Sequence, residues 1–338
     1  MSKRVSIYTV AKEAGVSTAT VSKIINNSGS ISRETSDRVL EIIKKYNFVP
    51  QQRRQTGSAI GVVTFLLRQG PLMAPFTARL LNGACRQAFL AGRDLVLIDG
   101  ERLAGLTPEE LYCHYASNSL AGLLICNVAA ENPFCTKLRK SGIPFILLAN
   151  GSTDDSVNFV TTRNYEAVYE LVDYMLCLGH RRIAYMGVLN RAVDSHRERL
   201  RAFYDIHNKH GIDPYPEYVL DLPDAEISTI KNALTRLFAR LESPTALFIG
   251  GEELDKAYTL LPQLGIEVPA RLSVAGLRLD DPLDSGVIEW SCITQPTERI
   301  GCVAAQKLLE LAEGQCAYVR EYLDNSLNYG NTVIRHEE

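Results

Sequence analysis

The sequence predicts an α/β protein in which a small three-helix unit precedes a two-lobed core of doubly wound parallel sheets. Two patterns carry this. The first fifty residues hold three apolar stripes at helical spacing, and from Ile60 onward apolar runs of strand length alternate with longer helical segments. Charge divides at the same place. Residues 1–59 carry ten Lys/Arg against four Asp/Glu, a balance of +6, which leaves −9 on the other 279 residues of a 338-residue chain of net charge −3. A basic head on an acidic body points to a polyanion partner for the head alone.

In the first helix Ile7, Val10, Ala11 and Ala14 share one face, and Gly15 supplies the left-handed residue that ends it. Ser17 is an N-cap for the second, in which Val21, Ile24 and Ile25 form the stripe. Ser32 caps the third, whose stripe is Val39, Ile42, Ile43 and Tyr46, with Pro50 as its stop. Residues 51–59 have no stripe and read as a linker.

The core then offers strand-like runs at Ile60–Leu66, Leu95–Ile98, Gly122–Cys126, Pro144–Leu148, Arg182–Gly187, Thr245–Ile249 and Leu272–Gly276. Helical segments fall near 76–91, 107–118, 131–141, 164–178, 195–210, 226–241 and 252–264. Strands apolar throughout and separated by helices belong to parallel sheets covered on both faces. Seven such units exceed one small sheet, so two lobes are expected.

Composition is ordinary for a globular protein, with 46% hydrophobic and 22% charged residues. No run is long enough to cross a membrane, and no apolar signal core follows the basic start, so a cytoplasmic protein without a membrane partner is expected. The eight cysteines form no C-x-x-C pair and read as buried free thiols. His207 and His210, three apart on a polar helix, read as surface residues rather than metal ligands, and His180 as structural. Asp154-Asp155, Glu252-Glu253 and Asp280-Asp281 read as solvated charges. There is no G-x-S-x-G, P-loop, G-x-G-x-x-G or H-E-x-x-H. Neither an enzyme nor a cofactor is expected.

In the head, the second helix of a helix-turn-helix would present Thr18, Ala19 and Lys23 outward. Ser17, Thr20, Ser22 and Asn26 offer hydroxyls and an amide to phosphates, and Tyr8, Ser32 and Thr35 sit at helix starts that could reach flanking ones. For each hydroxyl the alternative is a helix cap and nothing more.

The run Tyr8-Thr9-Val10-Ala11-Lys12-Glu13-Ala14-Gly15-Val16-Ser17-Thr18-Ala19-Thr20-Val21-Ser22-Lys23-Ile24-Ile25-Asn26 resembles the head of the lactose-repressor (LacI/GalR) family. Tyr46-Asn47-Phe48-Val49-Pro50 resembles its usual end. The likeness continues through Ile60-Gly61-Val62-Val63, through Leu178-Gly179-His180-Arg181-Arg182-Ile183-Ala184-Tyr185, and through Leu264-Gly265-Ile266-Glu267-Val268-Pro269 to Ser273-Val274-Ala275-Gly276 and Gln295-Pro296. It implies a helix-turn-helix DNA-binding domain at 1–50, a short hinge at 51–59, and a two-lobed, periplasmic-binding-protein-like effector and dimerisation core at 60–338. Three crossings between lobes are implied, giving lobe 1 about 60–160 and 292–320, and lobe 2 about 161–291 and 321–338. By the same resemblance Thr18, Ala19 and Lys23 read bases, and the protein is a repressor acting on a pseudo-palindromic operator. A homodimer is expected; the chain ends soon after Arg335, without the family's optional tetramerising helix.

The sequence departs from the family in two places. Only nine residues separate Pro50 from Ile60, none of them Leu, Ile, Met or Phe, so the family's minor-groove wedge is missing. Arg53 and Arg54 could touch phosphates or a narrow minor groove there. In the effector cleft Arg199 matches the arginine that grips a ligand's oxygens. Gly251 stands where Asn is usual, Arg278 and Ala149-Asn150 where carboxylates are usual, and Arg163 precedes Asn164 where Asp is common. Arginines in place of acceptors favour an anion such as a sugar acid or sugar phosphate. Two other readings stay open: a neutral sugar, or a cleft that binds nothing because Arg278 pairs with Asp280, Asp281 or Asp284. In the latter case the core of a ligand-independent DNA-binding protein serves only to dimerise.

Overall fold

The computed structural model describes residues 7–25, 31–46, 57–65, 74–126, 128–129, 131–189, 193–279 and 288–337. The expected positions Asn26, Arg53 and Arg54, and the suggested Arg278 partners Asp280, Asp281 and Asp284, lie outside these residues.

The head is three helices, α1 (Ile7–Ala14), α2 (Thr18–Ile25) and α3 (Arg33–Lys45). Gly15, at φ +66°, turns the chain between the first two, a conformation that costs a Cβ-bearing residue about 1 kcal/mol. The stripes meet as expected: Val10, Val21 and Val39 are each fully buried, and each contributes about 1.5–3 kcal/mol. Lys45 pairs with Glu13 at 2.5 Å across α3 and α1, an exposed contact that adds little.

The chain divides into two units, residues 1–160 with 301–320 and residues 161–300 with 321–338. In the first, β1 (Ala59–Thr64), α4 (Pro75–Leu90), β2 (Asp94–Asp99), α5 (Gly100–Ala104), α6 (Pro108–Ser117), β3 (Leu120–Cys126), α7 (Pro133–Ser141) and β4 (Phe145–Leu148) follow in order, and the division falls within β5 (Phe159–Thr162), whose Thr161 and Thr162 belong to the second. Strands β1, β3 and β4 are buried at every position, as strands covered on both faces must be. β1 lies between β2 and β3, parallel to both, with Ile60 opposite Leu95 and Gly122. β2 is an edge strand, and its Val96 and Leu97 are exposed.

The second unit runs α8 (Asn164–Cys177), β6 (Ile183–Gly187), α9 (Asp194–Lys209), β7 (Val219–Asp221), α10 (Ile227–Phe238), β8 (Ala246–Ile249), α11 (Leu254–Leu260), β9 (Ser273–Leu279) and β10 (Ser291–Gln295). α12 (Thr297–Ala312), β11 (Arg320–Leu323) and β12 (Ser326–Asn328) complete the chain. The sheet order is β12-β10-β9-β8-β6-β7, and the other sheet is β11-β5-β4-β3-β1-β2. Ser291–Gln295 pairs parallel with β9, Ser291 opposite Ala275. Residues 292–300 therefore belong to the second unit, whereas the sequence reading assigned 292–320 to the first lobe. The strands β5, β7, β10, β11 and β12, the short α5 and the sixteen-residue α12 are additions to the elements expected.

From β6 the chain goes to one side for β7 and to the other for β8. Such a reversal opens a crevice at the carboxyl ends of the two strands, the usual ligand position in this architecture. His180 is structural: buried, its Nδ1 lies 3.0 Å from Thr245 Oγ1 and its Nε2 3.0 Å from Ile334 O.

Candidate functional site

Two places in the described residues have the chemistry of a binding site. The first is the outer face of α2. Ser17 Oγ accepts from Thr20 N at 3.0 Å and lies 2.8 Å from Thr20 Oγ1, so α2 starts at a definite residue. Ser32 does the same for α3, 3.3 Å from Thr35 N and 2.8 Å from Thr35 Oγ1. The capping alternative thus applies to Ser17 and Ser32. Neither loses its exposure by it, and an exposed helix N-terminus still offers amides to phosphate. With Val21 and Ile25 buried, the helical period turns Ala19 and Lys23 outward on one exposed face, with Thr18 and Ser22 half-buried beside it. Tyr8 is 74% exposed at the start of α1. A small methyl, hydroxyls and an ammonium on one helix face suit base edges and phosphates in a major groove.

The second place is the carboxyl end of the second sheet. Arg199, on the second turn of α9, is only 6% exposed. Its Nε donates to Asn164 Oδ1 at 2.9 Å, its Nη1 to Gly250 O at 3.0 Å, and its Nη2 to Gln295 Oε1 at 3.4 Å. Gln295 Nε2 in turn donates to Thr162 Oγ1 at 3.1 Å. All three acceptors of Arg199 are neutral, and burial holds its pKa below the ordinary guanidinium value.

Glu253 is the residue the sequence reading missed. It was grouped with solvated charges, yet it is 3% exposed, and its Oε2 has no hydrogen-bond partner among the described residues. Burial raises its carboxyl above the usual range, against backbone donation from Glu253 and Val188 and the field of Arg199. Gly250 and Gly251 make room for this arrangement: a Cβ on Gly250 would fall 2.0 Å from Tyr185 Oη, and one on Gly251 2.4 Å from Glu253 Oε2. The departure from Asn at position 251 thus accompanies a carboxylate two residues on. His196, one turn before Arg199, has a buried Nδ1 without a partner and is pushed down to about 4 by burial and then Arg199. Glu198 is pushed up to about 7 by burial and then by Asp194. Buried polar atoms without partners are few in native proteins, and a cluster of them calls for a ligand or water.

The other expected cleft arginines are occupied. Arg278 pairs with Asp255 at 3.2 Å and lies over Trp290 at 4.6 Å from the ring centroid. Arg163 pairs with Asp324 at 3.1 Å and faces Tyr322. Asn150, in the first unit, is buried and donates to Val128 O at 3.3 Å, with its Oδ1 unpartnered.

Comparison with known proteins follows this division. Residues 6–51 match the bacterial regulatory proteins of the lacI family, and residues 172–332 match a periplasmic binding protein-like domain. Catabolite control protein A of Priestia megaterium is 24% identical over 312 residues, 90% of this chain and 91% of that protein. The HTH-type transcriptional repressor PurR of Edwardsiella ictaluri is 26% identical over 310 residues, 90% of this chain and 89% of that protein. Among solved structures, a transcriptional regulator CelR–cellobiose complex is 26% identical with a TM-score of 0.69, covering 97% of this chain and 100% of that one. A lac repressor dimer bound to operator and an anti-inducer has the same fold, with 22% identity and a TM-score of 0.66 over 98% of this chain and 100% of that one.

Proposed function

We propose that this chain, whose residues 6–51 match the lacI-family regulatory proteins and whose residues 172–332 match a periplasmic binding protein-like domain, is a transcription repressor that reads a two-part operator as a homodimer under the control of a small hydroxylated ligand. The observation that carries this is the α2 face, where Ala19 and Lys23 stand exposed on a helix whose start is pinned by Ser17. Lys23 would donate to guanine acceptors, Ala19 and the Thr18 methyl would meet thymine methyls, and Tyr8, Ser17, Thr20, Ser22, Asn26, Ser32 and Thr35 would hold phosphates, with Arg53 and Arg54 following the hinge. Names of the relatives, repressor among them, support the regulatory reading. No helix among the described residues is long and apolar enough to cross a membrane.

A homodimer is supported by exposed apolar side chains on the first unit. Phe89 and Leu90, 81% and 70% exposed, end α4, and Val96 and Leu97 are exposed on the edge strand β2. An uncovered apolar edge of this kind calls for a partner, and a second copy supplies a twofold one.

For the ligand, Arg278 and Arg163 pair with Asp255 and Asp324, which offsets part of the positive charge that favoured an anion. What remains is one fixed donor, Arg199, beside an acceptor carboxylate, Glu253, and the amides Asn164 and Gln295. Donors and acceptors in near balance suit a neutral sugar, and the similarity to a regulator in complex with cellobiose agrees with this. Sugar acids and sugar phosphates would add charge to a site that has one arginine for it.

The test is DNA binding by Lys23→Ala in a mobility-shift titration. Loss of a good base contact costs about 1–3 kcal/mol and relaxes one position of the site. An unchanged affinity and an unchanged preferred sequence would remove Lys23 as a reader.

A further inference from the structure

The carboxyl ends of α8 and α9 bring together a set of side chains that the DNA-binding and effector readings leave unused. Asp173 and Cys177 are one turn apart on α8, and His210 is the C-cap of α9. One donor atom from each, a carboxylate oxygen, the thiol sulfur and a ring nitrogen, lies within 4.8 Å of the other two. His210 Nε2 is 2.5 Å from Asp173 Oδ1. We propose that Asp173, Cys177 and His210 form a site for a divalent cation of the zinc and cobalt class.

The donor set selects the metal. Thiolate and imidazole are poor ligands for magnesium or calcium, which take six or more oxygens, whereas a mixed S, N and O set suits zinc and cobalt(II). A tetrahedral centre with bonds of about 2.0–2.3 Å holds its ligands about 3.5 Å apart. The carboxylate and the imidazole must therefore open by roughly 1 Å, and the sulfur, within 4.8 Å of both, needs at most a similar shift, within the reach of one side-chain rotation. Three protein ligands leave a fourth position for water.

Placement favours a cation independently of the side chains. Cys177 is the last residue of α8 and His210 directly follows the last of α9, so two helix C-termini, each with partial negative charge, end at the same spot. The basic residues nearby are directed elsewhere: Arg181 Nη1 donates to Leu176 O at 3.4 Å, and Lys209 Nζ lies 5.3 Å from the centre of the Tyr169 ring. Cys177 is exposed, so the cation can enter from solvent. Once bound, it staples the end of α8 to the end of α9. The histidine pair also departs from the sequence reading of surface residues: His207 is buried with its Nδ1 2.7 Å from Phe203 O, and His210 faces the neighbouring helix.

The experiment uses the full chain, freed of metal with a chelator and kept reduced, titrated with cobalt(II). The site predicts one cobalt per chain and a thiolate-to-cobalt charge-transfer absorption, both lost in Cys177→Ser and retained in Cys85→Ser, whose target is also exposed. His210→Ala should weaken cobalt binding by more than about 100-fold, beyond what loss of an outer partner costs. Zinc should raise the melting temperature of the wild type and not of Cys177→Ser, and equal melting of the two in metal-free buffer excludes a folding defect. No charge-transfer absorption at saturating cobalt, or the same absorption in Cys177→Ser, would mean that Asp173 and His210 form an ion pair only and would overturn the site.

Discussion

Replacing Glu253 by Gln separates the two accounts that can be given of the Arg199 site. Glu253 is nearly completely buried, receives backbone donation from Glu253 and Val188, and leaves Oε2 without a partner, while the hydrogen bonds of Arg199 go to Asn164, Gly250 and Gln295. Glutamine keeps the shape and one acceptor oxygen and removes the charge. Because burial raises the native pKa of Glu253, the native state prefers the neutral acid. Stability from this group is therefore fullest below the unfolded value, near 4.5, and is lost as pH rises through the native value. Glu253→Gln should accordingly match the wild type at pH 4.5 and exceed it at pH 8, by about 1.4 kcal/mol for each unit by which the native value stands above the unfolded one, in urea unfolding with an unchanged slope. At pH 8 the same variant should respond less to cellobiose in a thermal-shift titration, since one of the two acceptor oxygens of the carboxylate is replaced by an amide donor. A variant less stable than the wild type by more than about 2 kcal/mol at pH 8 would refute the reasoning, because Glu253 would then be an ion-pair partner of Arg199 whose loss strands a buried charge.

Arg199→Leu leaves three neutral acceptors without their donor, at a cost of about 1–3 kcal/mol for each that stays unsatisfied in the same unfolding assay; a loss below 1 kcal/mol would mean that water replaces the guanidinium. Gly250→Ala drives a methyl to within 2.0 Å of Tyr185 Oη, and overpacking of this kind costs about 1–3 kcal/mol, read as a lower midpoint in urea; an unshifted midpoint would show the loop to be compliant. Phe89→Asp should shift the protein from dimer to monomer in sedimentation, and a variant that stays dimeric would place the contact elsewhere. Glu198, raised to about 7 by burial, should make Glu198→Gln more stable than the wild type above pH 7 and equal to it near pH 4, with a direct pH titration as the check.

The head was readable because its signals are local. Gly15, Ser17 and Ser32 fix helix ends within a few residues of themselves, and the stripes at 10, 21 and 39 need no distant partner to be recognised. The long buried strands were equally plain, since Leu120–Cys126 is apolar at every residue but Gly122. Strands of three or four residues such as Val219–Asp221 and Ser326–Asn328 are too short to show a period. The stripe of α12 at Ile300, Ala304, Ala305 and Leu308 is buried along its whole length and is legible in the sequence at helical spacing. In the site, Arg199 was legible by position, whereas Glu253 was not: a Glu-Glu pair after a strand has the composition of a solvated turn, and only the fold buries its second member. Asp255 as the partner of Arg278 was hidden for a similar reason, since the two lie on different elements 23 residues apart.

Duplex DNA is to be read by two copies of the basic head. Selection of binding sites from random duplexes with the full-length protein tests it most directly. The expected outcome is an inverted repeat with half-sites about one helical turn apart and binding that weakens steeply with salt, because phosphate contacts release counterions. Failure to enrich any sequence, with no duplex retained even at low salt, would contradict it.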